Sequence, residues 1–216
     1  MPSDRFPIHS IASAPEASRP ALEAARKSFG FLPNLIGEMA ESPALVHAYS
    51  AVQREFTDRS SLTPAEQQVV LLTVSYLNGC RYCMAGHTAL AQAAGLEPSH
   101  IEALRGGQPL SDPHLEALRG FTAAMVRERG WVRSDQIEAL LAHGFTTRTV
   151  LDVIAGIAYK TMSNYTNHVA GTPLDKPLSK LAWHPPQSPA IEPLALQSET
   201  VAQVDEQRRL RLGVTR

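Results

Sequence analysis

The distribution of prolines is the feature of this 216-residue sequence that most constrains its fold. No proline lies between Pro64 and Pro98 or between Pro113 and Pro173, whereas six fall from Pro173 to Pro193. Proline interrupts a helix beyond its first turn, so long helices form where it is absent. The sequence therefore predicts a helical body followed by a segment of different character.

Three parts follow from this pattern. Residues 1–20, rich in Pro, Ser and Ala, are predicted to be a flexible N-terminal arm. Residues 21–171 are predicted to form the helical domain. Residues 172–216 are predicted to be a proline-rich, extended tail that is either disordered or wraps a neighbouring subunit, with a short helix at 194–212.

Helix-capping signals recur through the body. Thr63, Pro64 and Glu66 form a capping box, with proline at the first helical position. The β-branched run that follows could be mistaken for a strand, but its cap, its length and its lack of alternation favour a buried helix ending near Asn78. Because no segment shows convincing strand alternation, we predict an all-α fold.

Further helices are predicted from Ala44 to Phe56, after Pro98 and Pro113, and after a cap at Ser134. Thr147 is predicted to cap a long helix with an apolar stripe on one face. The stripe consists of Val150, Ile154, Ile157, Ala158, Met162, Tyr165 and Val169.

Composition excludes several classes of protein. Hydrophobic residues make up 44% and charged residues 19%, which is typical of a globular chain. The formal net charge is -1, which argues against nucleic acid or an anionic membrane as a partner. No apolar run reaches the roughly 18 residues of a membrane span, and the N-terminus has no signal-peptide core. We therefore expect a cytoplasmic protein.

The chemistry-bearing motif is a CxxC followed by a histidine. Cys80, Cys83 and His87 are spaced i, i+3 and i+7, so at a helix start they share one face, and Asn78 is predicted to cap that helix. The positive end of the helix dipole favours thiolates there. His87, one turn beyond Cys83, can accept its proton. The motif predicts a redox dithiol with its own base.

Three other interpretations of the motif compete. The cysteines could be small core residues beside a core histidine. They could bind zinc together with His87, with His100, His114 or a carboxylate as fourth ligand. A thioredoxin-like site would need a βαβ context that the sequence lacks. We expect no metal, flavin or haem, because there is no glycine-rich phosphate loop and Met84 excludes CxxCH.

Three blocks of the sequence resemble the carboxymuconolactone decarboxylase-like, AhpD-like superfamily of alkylhydroperoxidases. Together they cover about residues 28–175. They are Gly30-Phe31-Leu32-Pro33-Asn34-Leu35 with Ser42-Pro43-Ala44-Leu45; Leu62-Thr63-Pro64-x-Glu66 leading to Asn78-x-Cys80-x-x-Cys83-x-x-x-His87; and Ser163-Asn164-Tyr165-Thr166-Asn167-His168 with Gly171-Thr172-Pro173-Leu174-Asp175.

This resemblance implies an all-helical bundle that assembles as a homo-oligomer (a dimer, trimer or hexamer). It implies that Cys83 attacks a hydroperoxide, that Cys80 resolves the product as a disulfide, and that His87 relays protons. It also implies an external dithiol reductant, such as a lipoyl domain or a thioredoxin-like protein.

The sequence departs from the family at the relay glutamate, whose position is occupied by Gln68. Glu66 lies two residues earlier, about 200° around the helix, and already serves the capping box. Gln68 can hold His87 or a water by hydrogen bonds but cannot shuttle a proton as a carboxylate does. We therefore predict a slower peroxidase, which Gln68→Glu should accelerate.

The leading hypothesis is a thiol-dependent hydroperoxide reductase using Cys83, Cys80, His87 and Gln68. Three alternatives remain open. One is a decarboxylase or lactone-processing enzyme of the same superfamily, in a branch that generally lacks the cysteine pair. Another is a non-catalytic, redox-sensing oligomeric protein. A third is a general disulfide reductase without specificity for peroxides.

Overall fold

The computed structural model describes residues 5–186. Within this range the chain is built from α-helices and two short 3-10 helices, without a strand, so the predicted all-α class is confirmed. The helices are α1 (Arg19–Phe29), α2 (Asn34–Met39), α3 (Pro43–Arg59), α4 (Pro64–Leu77), α5 (Arg81–Ala93), α6 (Pro98–Gly106), α7 (Pro113–Arg127), α8 (Ser134–Ala142) and α9 (Thr147–Ala170), with 3-10 helices at Glu16–Ser18 and Lys176–Leu181.

Helix α4 lies at the centre of the bundle and packs against α5, α7 and α9. The predicted capping box opens it: the Thr63 N–H donates to Glu66 Oε2 (2.7 Å), and the Glu66 N–H donates to Thr63 Oγ1 (3.3 Å). Residues 69–75 are all buried, so the helix is covered on every side. That is why its β-branched run lacks an amphipathic pattern.

Helix α9 buries a different face from the predicted apolar stripe. Ile154, Tyr165 and Val169 of that stripe are 48%, 58% and 66% exposed. The buried face is instead rich in polar and small residues. It consists of Thr149, Val153, Gly156, Tyr159, Lys160, Ser163, Asn164, Asn167 and Ala170. The hydrophobic pattern alone would therefore orient this helix incorrectly.

Gly156 lets α9 approach α3 and α4 closely. A Cβ atom at this position would lie 2.9 Å from Val70 Cγ1 and 3.0 Å from Phe56 Cε2, closer than real Cβ atoms pack. The absence of a side chain thus fixes the spacing of the three helices that surround the buried polar residues.

The segments on either side of the bundle contribute to its packing. Ser18 is buried and donates from its hydroxyl to the Ala40 carbonyl (2.7 Å). After α9, the buried Trp183 donates from its indole N–H to the Arg105 carbonyl (2.8 Å). Most of the predicted tail, including its helix at 194–212, lies outside the described residues, so its wrapping of a neighbour stays a prediction.

No helix of residues 5–186 combines the length and apolar character that crossing a bilayer would need.

Candidate active site

The turn between α4 and α5 places the two cysteines. Gly79 adopts φ +63°, a conformation open to glycine at little cost, and Cys80 then occupies the N-cap of α5. Cys83 lies in the first turn of that helix. The prediction that Asn78 caps α5 is wrong, because Asn78 ends α4 and its side-chain amide donates to Asn164 Oδ1 (2.9 Å).

Both thiols are reduced and buried, and α9 supplies their polar neighbours. The Asn167 side-chain nitrogen lies 3.6 Å from Cys80 Sγ and 3.2 Å from Cys83 Sγ, so one amide contacts both sulfurs. The Ser163 hydroxyl lies 3.7 Å from Cys83 Sγ. The Asn167 amide is a donor, which suits a sulfur that carries negative charge.

A hydrogen-bonded chain runs through His87. Its Nε2 lies 2.7 Å from Lys160 Nζ, and its Nδ1 lies 2.9 Å from Gln68 Oε1. An ammonium group can only donate, so Nε2 must accept. The proton is therefore on Nδ1, which donates to the Gln68 carbonyl, and this network assigns one neutral tautomer to His87.

The electrostatic environment separates the two thiols. Burial opposes ionisation of Cys83, but the hydrogen bond from Cys80 and the charge of Lys160 outweigh it and hold the pKa of Cys83 well below its usual range. The interaction with Cys83, together with burial, raises the pKa of Cys80. Of the two thiols, Cys83 is therefore the one that ionises more readily.

His87 is likewise kept in one state. Burial, and secondarily the charge of Lys160, hold its pKa well below the usual range. The helix spacing predicts a contact with Cys83, but both ring nitrogens of His87 are occupied by Lys160 and Gln68. The structure thus brings Cys80, Cys83, His87 and Gln68 together. Lys160, which lies on the buried face of α9, contacts His87.

The other predicted polar residues lie elsewhere. Glu66 Oε1 accepts from His114 Nε2 (2.7 Å), and its second oxygen serves the cap of α4. His100 Nε2 lies 3.1 Å from Ser111 Oγ. The two histidines considered as a fourth zinc ligand therefore have partners outside the site. Among residues 5–186, no group of three His, Cys, Asp or Glu side chains is arranged to bind a metal.

An apolar cavity of about 190 Å³ adjoins Cys83. Its walls are mostly aromatic and aliphatic, and include Phe29, Phe31, Leu35, Tyr49, Leu90 and Tyr159. Its polar groups are few: His87 and Lys160 line it, as does Asp175, which accepts a hydrogen bond from the Tyr82 hydroxyl. An engineered apolar cavity of about 150 Å³ holds benzene, so this one is large enough for a single-ring molecule.

A second cavity, of about 400 Å³, borders Cys80. Its lining includes Arg81, His168 and His184. Arg81 Nη2 lies 2.7 Å from His184 Nδ1. The two cysteines therefore border different cavities.

Reasoning from sequence missed Lys160, Ser163 and Asn167, which lie about 80 residues after the cysteines. Their spacing of i, i+3 and i+7 places them on one face of a helix. In the sequence, these three residues form a polar face opposite the predicted apolar stripe. A polar helix face normally indicates exposure to solvent, so the pattern did not mark them as site residues. Only the packing of α9 against α5 shows that this face meets the thiols.

Comparison with known proteins agrees with this fold. Residues 43–124 match the Carboxymuconolactone decarboxylase family. No curated protein sequence matches the chain.

Solved structures share the architecture. The alkylhydroperoxidase AhpD core of an uncharacterized peroxidase-related protein from Ralstonia eutropha JMP134 is 23% identical and superposes with a TM-score of 0.73, covering 81% of this chain and 93% of that one. A peroxidase-related protein from Silicibacter sp. TM1040 is 22% identical, with a TM-score of 0.69 over 82% and 93% of the two chains.

A third structure with this fold is the debrominase Bmp8, in a cysteine-to-alanine variant bound to 2,3,4-tribromopyrrole. It is 16% identical, with a TM-score of 0.70 over 83% of this chain and 96% of that one. At these identities the structural likeness establishes the fold alone. The resemblance indicated by the sequence motifs is confirmed for residues 43–124, which include the CxxC and His87 and match the Carboxymuconolactone decarboxylase family, and the all-α fold is AhpD-like.

Proposed function

We propose that this protein is a thiol-dependent hydroperoxide reductase in which Cys83 is the nucleophile and Cys80 the resolving thiol. The observation that carries the proposal is the placement of Cys83. Its thiol has a pKa well below the usual range, contacts the same amide as Cys80, and borders an apolar cavity. The nucleophile in peroxide reduction is the thiolate.

The chemistry balances with these two residues. The Cys83 thiolate attacks the terminal oxygen of the hydroperoxide, the O–O bond breaks, and the departing alkoxide takes a proton to become an alcohol. Cys83 is left as a sulfenic acid. The Cys80 thiol then attacks Cys83 Sγ, forming the disulfide and releasing water. His87 and Gln68 line this centre as a neutral, hydrogen-bonded pair.

An external dithiol must reduce the disulfide to complete the cycle. Thiol–disulfide exchange is faster when the departing thiol has the lower pKa. Attack on Cys80 releases the Cys83 thiolate, so Cys80 is the favoured target. Its position beside the larger cavity supports an approach of the reductant from that side.

A thiol titration tests the proposal. When the reduced protein is mixed with one equivalent of cumene hydroperoxide, we expect both thiols to be lost as an intramolecular disulfide. Cys80→Ser should stop at a sulfenic acid, and Cys83→Ser should react far more slowly. Full peroxidase turnover by Cys83→Ser with dithiothreitol as reductant would disprove the assignment.

Turnover separates this proposal from the non-catalytic alternative. A redox sensor would oxidise stoichiometrically and stop, whereas a reductase consumes many equivalents of hydroperoxide in the presence of a dithiol. Oxidation by disulfides but not by hydroperoxides would instead identify a general disulfide reductase. A decarboxylase or lactone-processing enzyme would release its product equally well after both cysteines are replaced.

The shape of the cavity favours one further candidate, reductive debromination of a small aromatic ring. The cavity beside Cys83 is apolar, partly aromatic and large enough for one ring. The thiolate would take the bromine from carbon while the ring carbon accepts a proton. Cys80 would then displace bromide and form the same disulfide. Bromide release from 2,3,4-tribromopyrrole, compared with cumene hydroperoxide consumption, distinguishes the two substrates.

A further inference from the structure

We propose that the Lys160 ammonium is the counter-ion of the Cys83 thiolate, and that neutral His87 and Gln68 are positioning residues that hold the ammonium in place. The thiol motif at the start of α5 would then depend on a cation supplied by α9. The arrangement concerns the resting ionisation of Cys83 and does not depend on which oxidant the protein reduces.

The geometry places Lys160 at the thiols. It is 1% exposed and lies on the buried face of α9, one turn before Ser163 and two turns before Asn167. Both of those residues reach Cys83 Sγ, and Lys160 lines the same cavity as Cys83. Its Nζ is held 2.7 Å from His87 Nε2 and 5.0 Å from the centre of the Tyr159 ring.

A buried ammonium is costly unless an anion lies near it. The titratable groups around the site come from α3, α5, α9 and the segment after α9: Tyr49, Cys80, Tyr82, Cys83, His87, Tyr159, His168 and Asp175. The pKa values of the three tyrosines and of Cys80 are raised, chiefly by burial for the tyrosines and by the interaction with Cys83 for Cys80, so these groups stay neutral.

The remaining groups differ in whether they are free to pair with Lys160. Burial lowers the pKa of both His87 and His168, so they are neutral imidazoles. The Asp175 carboxylate accepts from the Tyr82 hydroxyl and from the Asn34 backbone N–H (3.1 Å). Both Asp175 oxygens therefore have partners other than Lys160, and we assign the Cys83 thiolate as the anion that balances the Lys160 charge.

The neutral side chain of Gln68 is part of the hydrogen-bonded chain that holds Lys160 through His87. Its amide oxygen accepts from His87 Nδ1, which leaves Nε2 free to accept from Lys160. A carboxylate in its place would favour the imidazolium, whose two N–H groups cannot accept from an ammonium. The inference therefore reverses the expectation from sequence: Gln68→Glu should weaken the hold on Lys160 and slow the reaction of Cys83.

The test is the pH midpoint of thiolate formation, followed by ultraviolet thiolate absorbance in the reduced, full-length protein. An opposite charge close to a thiol lowers its pKa by about 1 to 3 units. We expect Lys160→Met to raise the pH midpoint by about 1 to 3 units. At a pH below the midpoint, the fraction of Cys83 present as thiolate should then fall at least tenfold. Lys160→Arg should keep the midpoint low, and the exposed control Lys27→Met should leave it unchanged.

His87→Gln, which keeps an acceptor for Lys160, should also leave the midpoint low. A midpoint unchanged in Lys160→Met would overturn the ion pair. Because Lys160→Arg retains the charge, a high midpoint in that folded variant would contradict it independently. Far-ultraviolet circular dichroism checks folding. A low midpoint with no peroxidase turnover would refute the proposed function while supporting this inference.

Discussion

The ionisation of His87 is controlled by its surroundings more than by its position in the motif. On helix spacing it is a base beside Cys83. In the folded protein it is a neutral link whose two nitrogens are bonded to Gln68 and Lys160. The CxxC and the histidine were predictable because their chemistry is local. The lysine was not, because its burial depends on contacts with a distant helix.

The lowered pKa of His87 makes stability depend on pH. Below about pH 6.5 an unfolded histidine binds a proton that the folded one does not, so folding weakens as pH falls through this range. As the pH falls, the free energy of unfolding should decrease more steeply in the wild type than in His87→Gln, by up to about 1.4 kcal/mol per pH unit. The measurement is urea unfolding between about pH 7 and about pH 5.

The exposed His143, which follows α8, supplies the control. His143→Gln should retain the acid destabilisation of the wild type, because His143 lies at the surface. Parallel pH profiles for the wild type and His87→Gln would show that His87 is protonated in the folded protein.

At the scale of the elements, the sequence predicted where helices begin but not which face of a helix is buried. The capping box of α4 lies within four residues, so local sequence determines it. The caps of α8 and α9 are displaced by one residue from prediction, to Arg133 and Thr146. The buried face of α9 depends instead on what α3, α4 and α5 present to it.

The close approach of α9 to its neighbours can be tested with a matched pair of glycine-to-alanine substitutions. Gly156→Ala would place its Cβ 2.9 Å from Val70 Cγ1, so we expect about 1–3 kcal/mol of destabilisation from overpacking. Gly120→Ala, in the interior of α7 with open space at its Cβ, should stabilise by about 0.5–1 kcal/mol. Urea midpoints measure both.

The opposite sign for Gly156→Ala would show that α9 can shift away from α4 at little cost. The pair separates helix propensity from packing, since both substitutions raise propensity and only one meets a neighbouring side chain.

At the scale of the whole molecule, the exposed apolar face of α9 is the notable surface. Leu151, Ile154, Tyr165 and Val169 share this face, and Leu151 is 65% exposed. Exposed apolar patches commonly mark protein–protein contacts. They support the predicted homo-oligomer, for which the described residues supply a candidate contact face.

We expect the purified protein to sediment as an oligomer that dissociates when this face is charged. The variant Ile154→Glu with Val169→Glu should reduce the sedimentation coefficient toward that of a monomer. The control Ala142→Glu adds a charge at an exposed position of α8 and should have no effect. A monomeric wild type, or an unchanged oligomer in the double variant, would contradict the prediction.

By itself the sequence determined the helical class, the capping box of α4, the two cysteines at the start of α5 and the resemblance of residues 43–124 to a known family, because each depends on residues close together in the chain. The tertiary structure decided which face of α9 is buried and what surrounds the thiols. It brings Lys160, Ser163 and Asn167 to the cysteines and occupies both nitrogens of His87. Burial then makes the pKa values of Cys80, Cys83 and His87 depend on these neighbours, because a charge removed from water is stabilised only by the groups around it.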